Sequence, residues 1–213
     1  MVPAIHITAS CVISDHALFK NGKPVFEKKG IGLHEFLAEA YQFLEIKYPK
    51  FYKMDHLSKL GWIAAEILLN ESFDKTKYKA EDMGVVLMNA ASSLDADIKY
   101  FDSTKEIASP ALFVYTLPNI VIGEISIRHN FKGESAFFIC ETFDAVFLQQ
   151  YVSNLFNNNL VQACICGWIE VVGESYKTVL LLAENNIENT NFPAGDMAFT
   201  KENINNIYHL HNG

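Results

Sequence analysis

What the chain lacks narrows the field first. No apolar run approaches the ~20 residues of a membrane-spanning helix. The greasiest stretches are broken by Pro118, Asn119 and Gly123 or are strand-sized, such as Val179 to Ala183. A basic cluster is also missing. The net charge is −8, and lysines and arginines are thinly spread, densest from Lys20 to Lys29 and from Lys75 to Lys79. That argues against nucleic acids and anionic membranes as partners. Cysteine is scarce: Cys11, Cys140, Cys164 and Cys166 all sit in apolar, strand-like runs. Buried, reduced thiols suit a cytoplasmic setting. Met1 to His6 lacks the basic and apolar regions of a signal peptide, so cytoplasmic is the expected location. Neither G-x-G-x-x-G, a P-loop nor G-x-S-x-G occurs, so nucleotide binding and serine hydrolysis have no support and no cofactor is expected.

What remains is core material. Of 213 residues half are hydrophobic, with sixteen Phe and nine Tyr, enough for one sizeable domain. Residues 4–14 read as a buried strand, and 15–32, punctuated by glycines and Pro24, as a loop or short hairpin. Helical spacing covers Leu33 to Tyr48 and Met54 to Asn70, where Gly61, Ala64 and Ala65 allow close packing. A second strand runs from Met83 to Ala90. A Ser109-capped helix with Pro110 in its first turn follows, kinked or restarted at Pro118. After Lys132-Gly133 come a third strand, Ser135 to Glu141, and a helix from Phe143 to Asn157. Strands over Val161 to Val171 and Tyr176 to Glu184 are joined too tightly for a crossover helix, which predicts an antiparallel hairpin. Helix-linked strands plus a hairpin give an α/β fold with a mixed sheet. Residues 1–184 form the expected domain. Residues 185–213, rich in Asn, read as a loosely packed polar tail in which His209 and His211 face solvent.

Four segments in order resemble the β-ketoacyl-acyl-carrier-protein synthases of the thiolase superfamily. IHITASCVIS resembles the family's first strand, and KMDHLSKLGWIAAEILL its RMDRxxxLAxxAAxxAL helix. MGVVLMNAASSLDADIKYFDS resembles VGVVxGTGxGGLxxxxxFxxS. SPALFVYTLPNIVIGEISIRHNFKG resembles SPxxxPxxxxNxxAGxIxIxxGxKG. The resemblance spans residues 4 to 183 and the N-terminal half of such an enzyme. It implies a thiolase-like half: a five-stranded sheet, order 3-2-1-4-5, with the last strand antiparallel and helices on both sides.

In that family the strand after Lys-Gly ends at the catalytic cysteine. Here that position falls on Thr142, with Cys140 two residues earlier, and Phe143-Asp144 replace the Thr-Gly that follows the cysteine. Cys140-Glu141-Thr142 looks like the A-E-Q of chain-length factors, the paralogues without the cysteine. The family's catalytic histidines belong to its second half and have no counterpart here. His129, near the Lys-Gly turn, is the one histidine expected close to the junction. A threonine hydroxyl needs a base within reach, and no motif supplies one, so an N-cap role competes for Thr142. Glu141 and Asp144 suit the positive end of the next helix. Cys140 reads as a buried, inert thiol. Cys164-x-Cys166 has no further ligands at zinc spacing.

The resemblance thus implies a non-condensing accessory protein of bacterial fatty acid, polyketide or aryl-polyene biosynthesis. Its partners would be a catalytic ketosynthase or an acyl carrier protein. In the family the third strand pairs with its twofold mate, so Ala136, Phe137, Phe138 and Ile139 are the expected interface of a homodimer or heterodimer. The alternative is a small acyltransferase or thioester hydrolase using Cys140 or Thr142.

Overall fold

The computed structural model describes residues 5–185 and 197–210. One mixed sheet carries the fold. Its strands are β1 (Ile5–Ser14), β2 (Ala17–Lys20), β3 (Lys23–Glu27), β4 (Met83–Asn89), β5 (Ser135–Ile139), β6 (Ala163–Val172), β7 (Ser175–Asn185) and the short β8 (Met197–Ala198). The order across it is β3-β2-β1-β7-β6-β4-β5, with β8 beside β1. Helices α1 (Leu33–Phe43), α2 (His56–Leu69), α3 (Leu94–Ser103), α4 (Pro110–Val114) and α5 (Ile120–His129) follow the first strands. Helices α6 (Ala145–Asn157) and α7 (Lys201–His209) come later in the chain.

The α/β class and the antiparallel hairpin β6–β7 agree with expectation; the five-strand order does not. The expected order set β1 beside β4. Instead β6 lies parallel to β4, and β7 stands between β6 and β1, antiparallel to both. A hairpin enters a sheet as a unit, so docking β6 on β4 leaves the free edge of β7 for β1. Residues 163–169 and 178–183 are buried on both faces, as strands in mid-sheet must be. The sheet also extends beyond β1. Asp15 and His16, then Asn21 and Gly22, have positive φ, the geometry of two-residue hairpin turns, and fold residues 5–27 into a meander.

Alternation sorts the strand side chains onto two cores. Cys11, Val85, Leu87, Ile165, Leu180 and Leu182 meet α1, α2 and α5, while Val86, Met88, Cys164, Cys166 and Leu181 meet α6 and α7. Helix α2 is buried nearly all round and capped by Asp55, whose Oδ1 accepts Ser58 N–H at 3.0 Å. Its Gly61 faces α5 so closely that a Cβ there would sit 2.3 Å from Val121. Pro118 separates α4 from α5, and Ser109 Oγ accepts Leu112 N–H at 3.3 Å as the cap of α4.

Residues 197–209, expected within a loose tail, are part of the core. β8 pairs with β1, and Phe199, Ile204 and Ile207 are buried against α6. Two isoleucines and a tyrosine at i, i+3, i+4 make a narrow apolar stripe that the surrounding asparagines obscure. His209 is exposed, and His211 lies outside the described residues.

Candidate functional site

The strand-to-helix junction at 140–144 is set from its far end. Lys132 N–H donates to Ala80 O at 2.8 Å and Gly133 N–H to Met83 O at 3.1 Å, pinning the turn to the start of β4. A Cβ on Gly133 would lie 2.5 Å from Met83 O, so glycine alone fits that approach. β5 then runs parallel to β4 in the register Val85↔Ser135 to Asn89↔Ile139. Val85 N–H donates to Glu134 O, and Cys140 N–H to Asn89 O. Even-numbered residues of the strand therefore bond β4, and the backbone N–H and C=O groups of Ser135, Phe137 and Ile139 point to the open edge.

At the carboxyl ends of β4 and β5, where open α/β sheets place their ligands, the backbone is firmly held. The Asn89 side chain is fully buried and bonds both N–H and C=O of Ser92, at 3.0 and 2.8 Å. Glu170 accepts the N–H groups of Ala90 at 2.7 Å and Ala91 at 3.3 Å. Ser93 Oγ donates to Thr116 O at 2.7 Å.

Thr142 and Glu141 are exposed, and Cys140 is half-buried. Thr142 is not the helix cap. Asp144 Oδ1 accepts Val146 and Phe147 N–H, both at 2.9 Å, and fills that role. Among the described residues no side chain hydrogen-bonds the Thr142 hydroxyl, so nothing here raises its nucleophilicity. Burial, then the nearby Asp144 carboxylate, push the Cys140 thiol up, away from the reactive thiolate.

Beside the junction stands an aromatic group that the sequence reading missed. Phe143 stacks on Tyr208 of α7, centroids 4.0 Å apart, and Trp168 meets Phe143 edge-on at 6.0 Å. Lys177 Nζ lies 4.3 Å from the Tyr208 ring centre. The Ile204-x-x-Ile207-Tyr208 spacing was the available signal.

His129 lies at the other end of β5, roughly 17 Å from the junction by strand rise. Its Nε2 is 3.2 Å from Glu66 Oε1, to which Arg128 Nε donates at 2.7 Å. Burial alone would raise the Glu66 carboxyl, but His129 and Arg128 outweigh it and hold it below the usual carboxylate range. A carboxyl depressed by folding stabilises the protein above its unfolded value of 4.5, and that contribution fades as pH falls further. Glu66→Gln is therefore expected to cost about 2 kcal/mol near neutrality. Its melting deficit against wild type should shrink on acidification through that value. A deficit that stays constant or grows in acid would contradict the ion-pair origin.

Cys164 and Cys166 are fully buried on one face of β6, and burial raises Cys166 well above its ordinary value, with Cys164 adding to it. Burial likewise pushes Cys11 up to about 12. Among the described residues no group of three or more His, Cys, Asp or Glu is placed to hold a metal, and no helix is long and apolar enough to cross a membrane.

The interface candidates lie along β5. Phe138 packs under α6, its ring 4.8 Å from both Phe147 and Tyr151, and Phe137 faces the α2–α5 side. Ala136 is half-buried and Ile139 is 52% exposed. The sheet's two edges differ. β3 carries Lys23, Pro24 and Glu27, residues that discourage pairing, whereas β5 carries no charge and no proline.

No protein-family model matches the chain, and no curated protein matches it by sequence. Solved structures match its fold. One is AntDE:AntF, a type II polyketide synthase acyl-carrier protein in complex with its ketosynthase bound to the hexaketide. It aligns at TM-score 0.60 and 16% identity over 87% of this chain and 64% of that one. The ishigamide ketosynthase/chain length factor aligns at 0.59 and 17%, over 88% and 64%. The complex of ketosynthase ApeO with its chain length factor ApeC from Xenorhabdus doucetiae aligns at 0.57 and 12%, over 99% of this chain and 92% of that one. The chain thus spans just under two thirds of the first two and nearly the whole of the third. At these identities the match establishes a ketosynthase-like fold.

Proposed function

We propose that this protein is a non-condensing, ketosynthase-like accessory subunit that pairs through β5 with a catalytic ketosynthase or with a second copy of itself. The observation that carries the reading is the junction: a strand leads into a helix there as in a nucleophile-bearing fold, yet among the described residues no side chain hydrogen-bonds the Thr142 hydroxyl, and burial with Asp144 pushes the Cys140 thiol up. The unprotected edge at Ala136, Phe137, Phe138 and Ile139 supports the pairing. So does a run of exposed apolar side chains, Ile98, Phe101, Ile107, Phe113, Val114 and Leu117, on and around α3 and α4. On this reading these side chains shape the partner's acyl tunnel. The substrate chain would come from bacterial fatty acid, polyketide or aryl-polyene synthesis, delivered on an acyl carrier protein. The match to a chain of the ApeO–ApeC complex, over 99% of this chain and 92% of that one, supports a role beside a ketosynthase.

Co-expression with a ketosynthase, followed by light scattering, tests the pairing; a stable assembly is expected, and a persistent monomer contradicts it. Intact-mass measurement after exposure to an acyl thioester tests the absence of acyl transfer. No adduct is expected. An adduct lost in Cys140→Ala or Thr142→Ala would establish the alternative, a small acyltransferase or thioester hydrolase.

A further inference from the structure

A cavity of about 540 Å³ opens on the α1–α2 side of the sheet, away from the junction, between the β2–β3 hairpin and the carboxyl ends of α1, α2 and α5. Its walls are mixed, with Phe43, Leu44, Ile67, Phe73 and Phe131 forming the apolar part. That volume is within the range of small-molecule sites, about 300–1,000 Å³. Phe43 is 46% exposed, a large ring left facing solvent at the rim.

The charged groups of the lining are Lys20, Lys75, Glu66 and Glu71. Glu66 is paired with Arg128, Nε to Oε1 at 2.7 Å. Lys20 is half-buried and donates to the main-chain carbonyl of Asn70, at the end of α2. An ammonium has three donors, and burial lowers the Lys20 pKa, with Glu71 partly offsetting it. Lys75 makes no ion pair among the described residues. Lys20 and Lys75 share the rim with the exposed carboxylate of Glu71. Counting Arg128 beside Glu66, three cations stand against two carboxylates around the cavity, in a chain of net charge −8.

We propose that this cavity binds an amphipathic carboxylate, its alkyl body among Phe43, Leu44, Ile67 and Phe73 and its head between Lys20 and Lys75. The site is separate from the pairing edge, and its occupancy does not depend on the function proposed above.

Isothermal titration of the full chain with hexanoate, octanoate and decanoate, with octanol as the uncharged control, tests it. Saturable binding is expected, strengthening about fourfold per methylene. The Lys20→Met/Lys75→Met variant should bind decanoate about tenfold or more weakly and octanol as wild type does. Lys75→Met alone, at an exposed position, should show part of the same loss and guards against misfolding of the double variant. Absence of saturable binding overturns the proposal. So does octanol binding as tightly as octanoate, or decanoate affinity unchanged by both lysine variants.

Discussion

Ile139→Pro is expected to leave the isolated chain folded and to weaken its pairing about 100-fold. The two halves of that result come from the same geometry. The Ile139 N–H points away from β4, so removing it costs no hydrogen bond within the chain. Its side chain is half in solvent, so no core packing is lost. Proline is tolerated at such an edge position. A strand added at that edge needs the Ile139 N–H; leaving its carbonyl unpaired costs about 1–3 kcal/mol and the clash with the ring about as much again, together close to 100-fold in affinity. Circular dichroism and melting temperature should stay near wild type while light scattering reports dissociation. Phe138→Pro is the contrast. Its N–H serves β4 and its ring packs against Phe147 and Tyr151, so that variant should unfold.

Gly167→Ala should destabilise the fold strongly. Gly167 sits mid-strand in β6 at φ +150, where L-residues are strained, and a Cβ there would lie 2.0 Å from Val179 O in β7. Backbone strain and overpacking each cost about 1–3 kcal/mol. Together they come to about 2–6 kcal/mol, a large part of a typical domain's stability, and neither strand can move without disturbing the β7–β1 pairing. Chemical denaturation should show a loss of roughly 3 kcal/mol or more. A variant melting within a few degrees of wild type would mean the hairpin register is different.

Much of the fold was legible because its signals are local. The cap at Ser109, the break at Pro118 and the tight β6–β7 turn each rest on a few adjacent residues. Asn21-Gly22 was equally readable, yet residues 15–32 resolved into a strand meander only with the structure. Sheet order was not legible in the same way. Which strand neighbours β1 depends on how the β6–β7 hairpin docks, a choice made by surfaces distant in sequence. The doubly buried runs at Ala163 to Ile169 and Thr178 to Ala183 did carry a hint, since edge strands are seldom apolar on both faces.

Counting from Lys132-Gly133 set Cys140, Glu141 and Thr142 just past the third strand, and the structure has them between β5 and α6, because β5 is short and its start is pinned. Capping fell to Asp144 instead of Thr142 because an aspartate two residues before Val146 reaches two free N–H groups at once. His129 misled because proximity in sequence to the turn is proximity to the wrong end of the strand. Tyr208 was missed because it arrives from more than sixty residues downstream on a helix that composition disguised.

The central claim is that the β5 edge is a pairing surface, and residue-resolved hydrogen exchange tests it most directly. In the isolated monomer the amides of Ala136, Phe138 and Cys140 should exchange slowly and those of Ser135, Phe137 and Ile139 rapidly. In the assembly, with a ketosynthase or with a second copy, the second set should slow by orders of magnitude. An assembly in which Ser135, Phe137 and Ile139 exchange as fast as in the monomer would contradict the account.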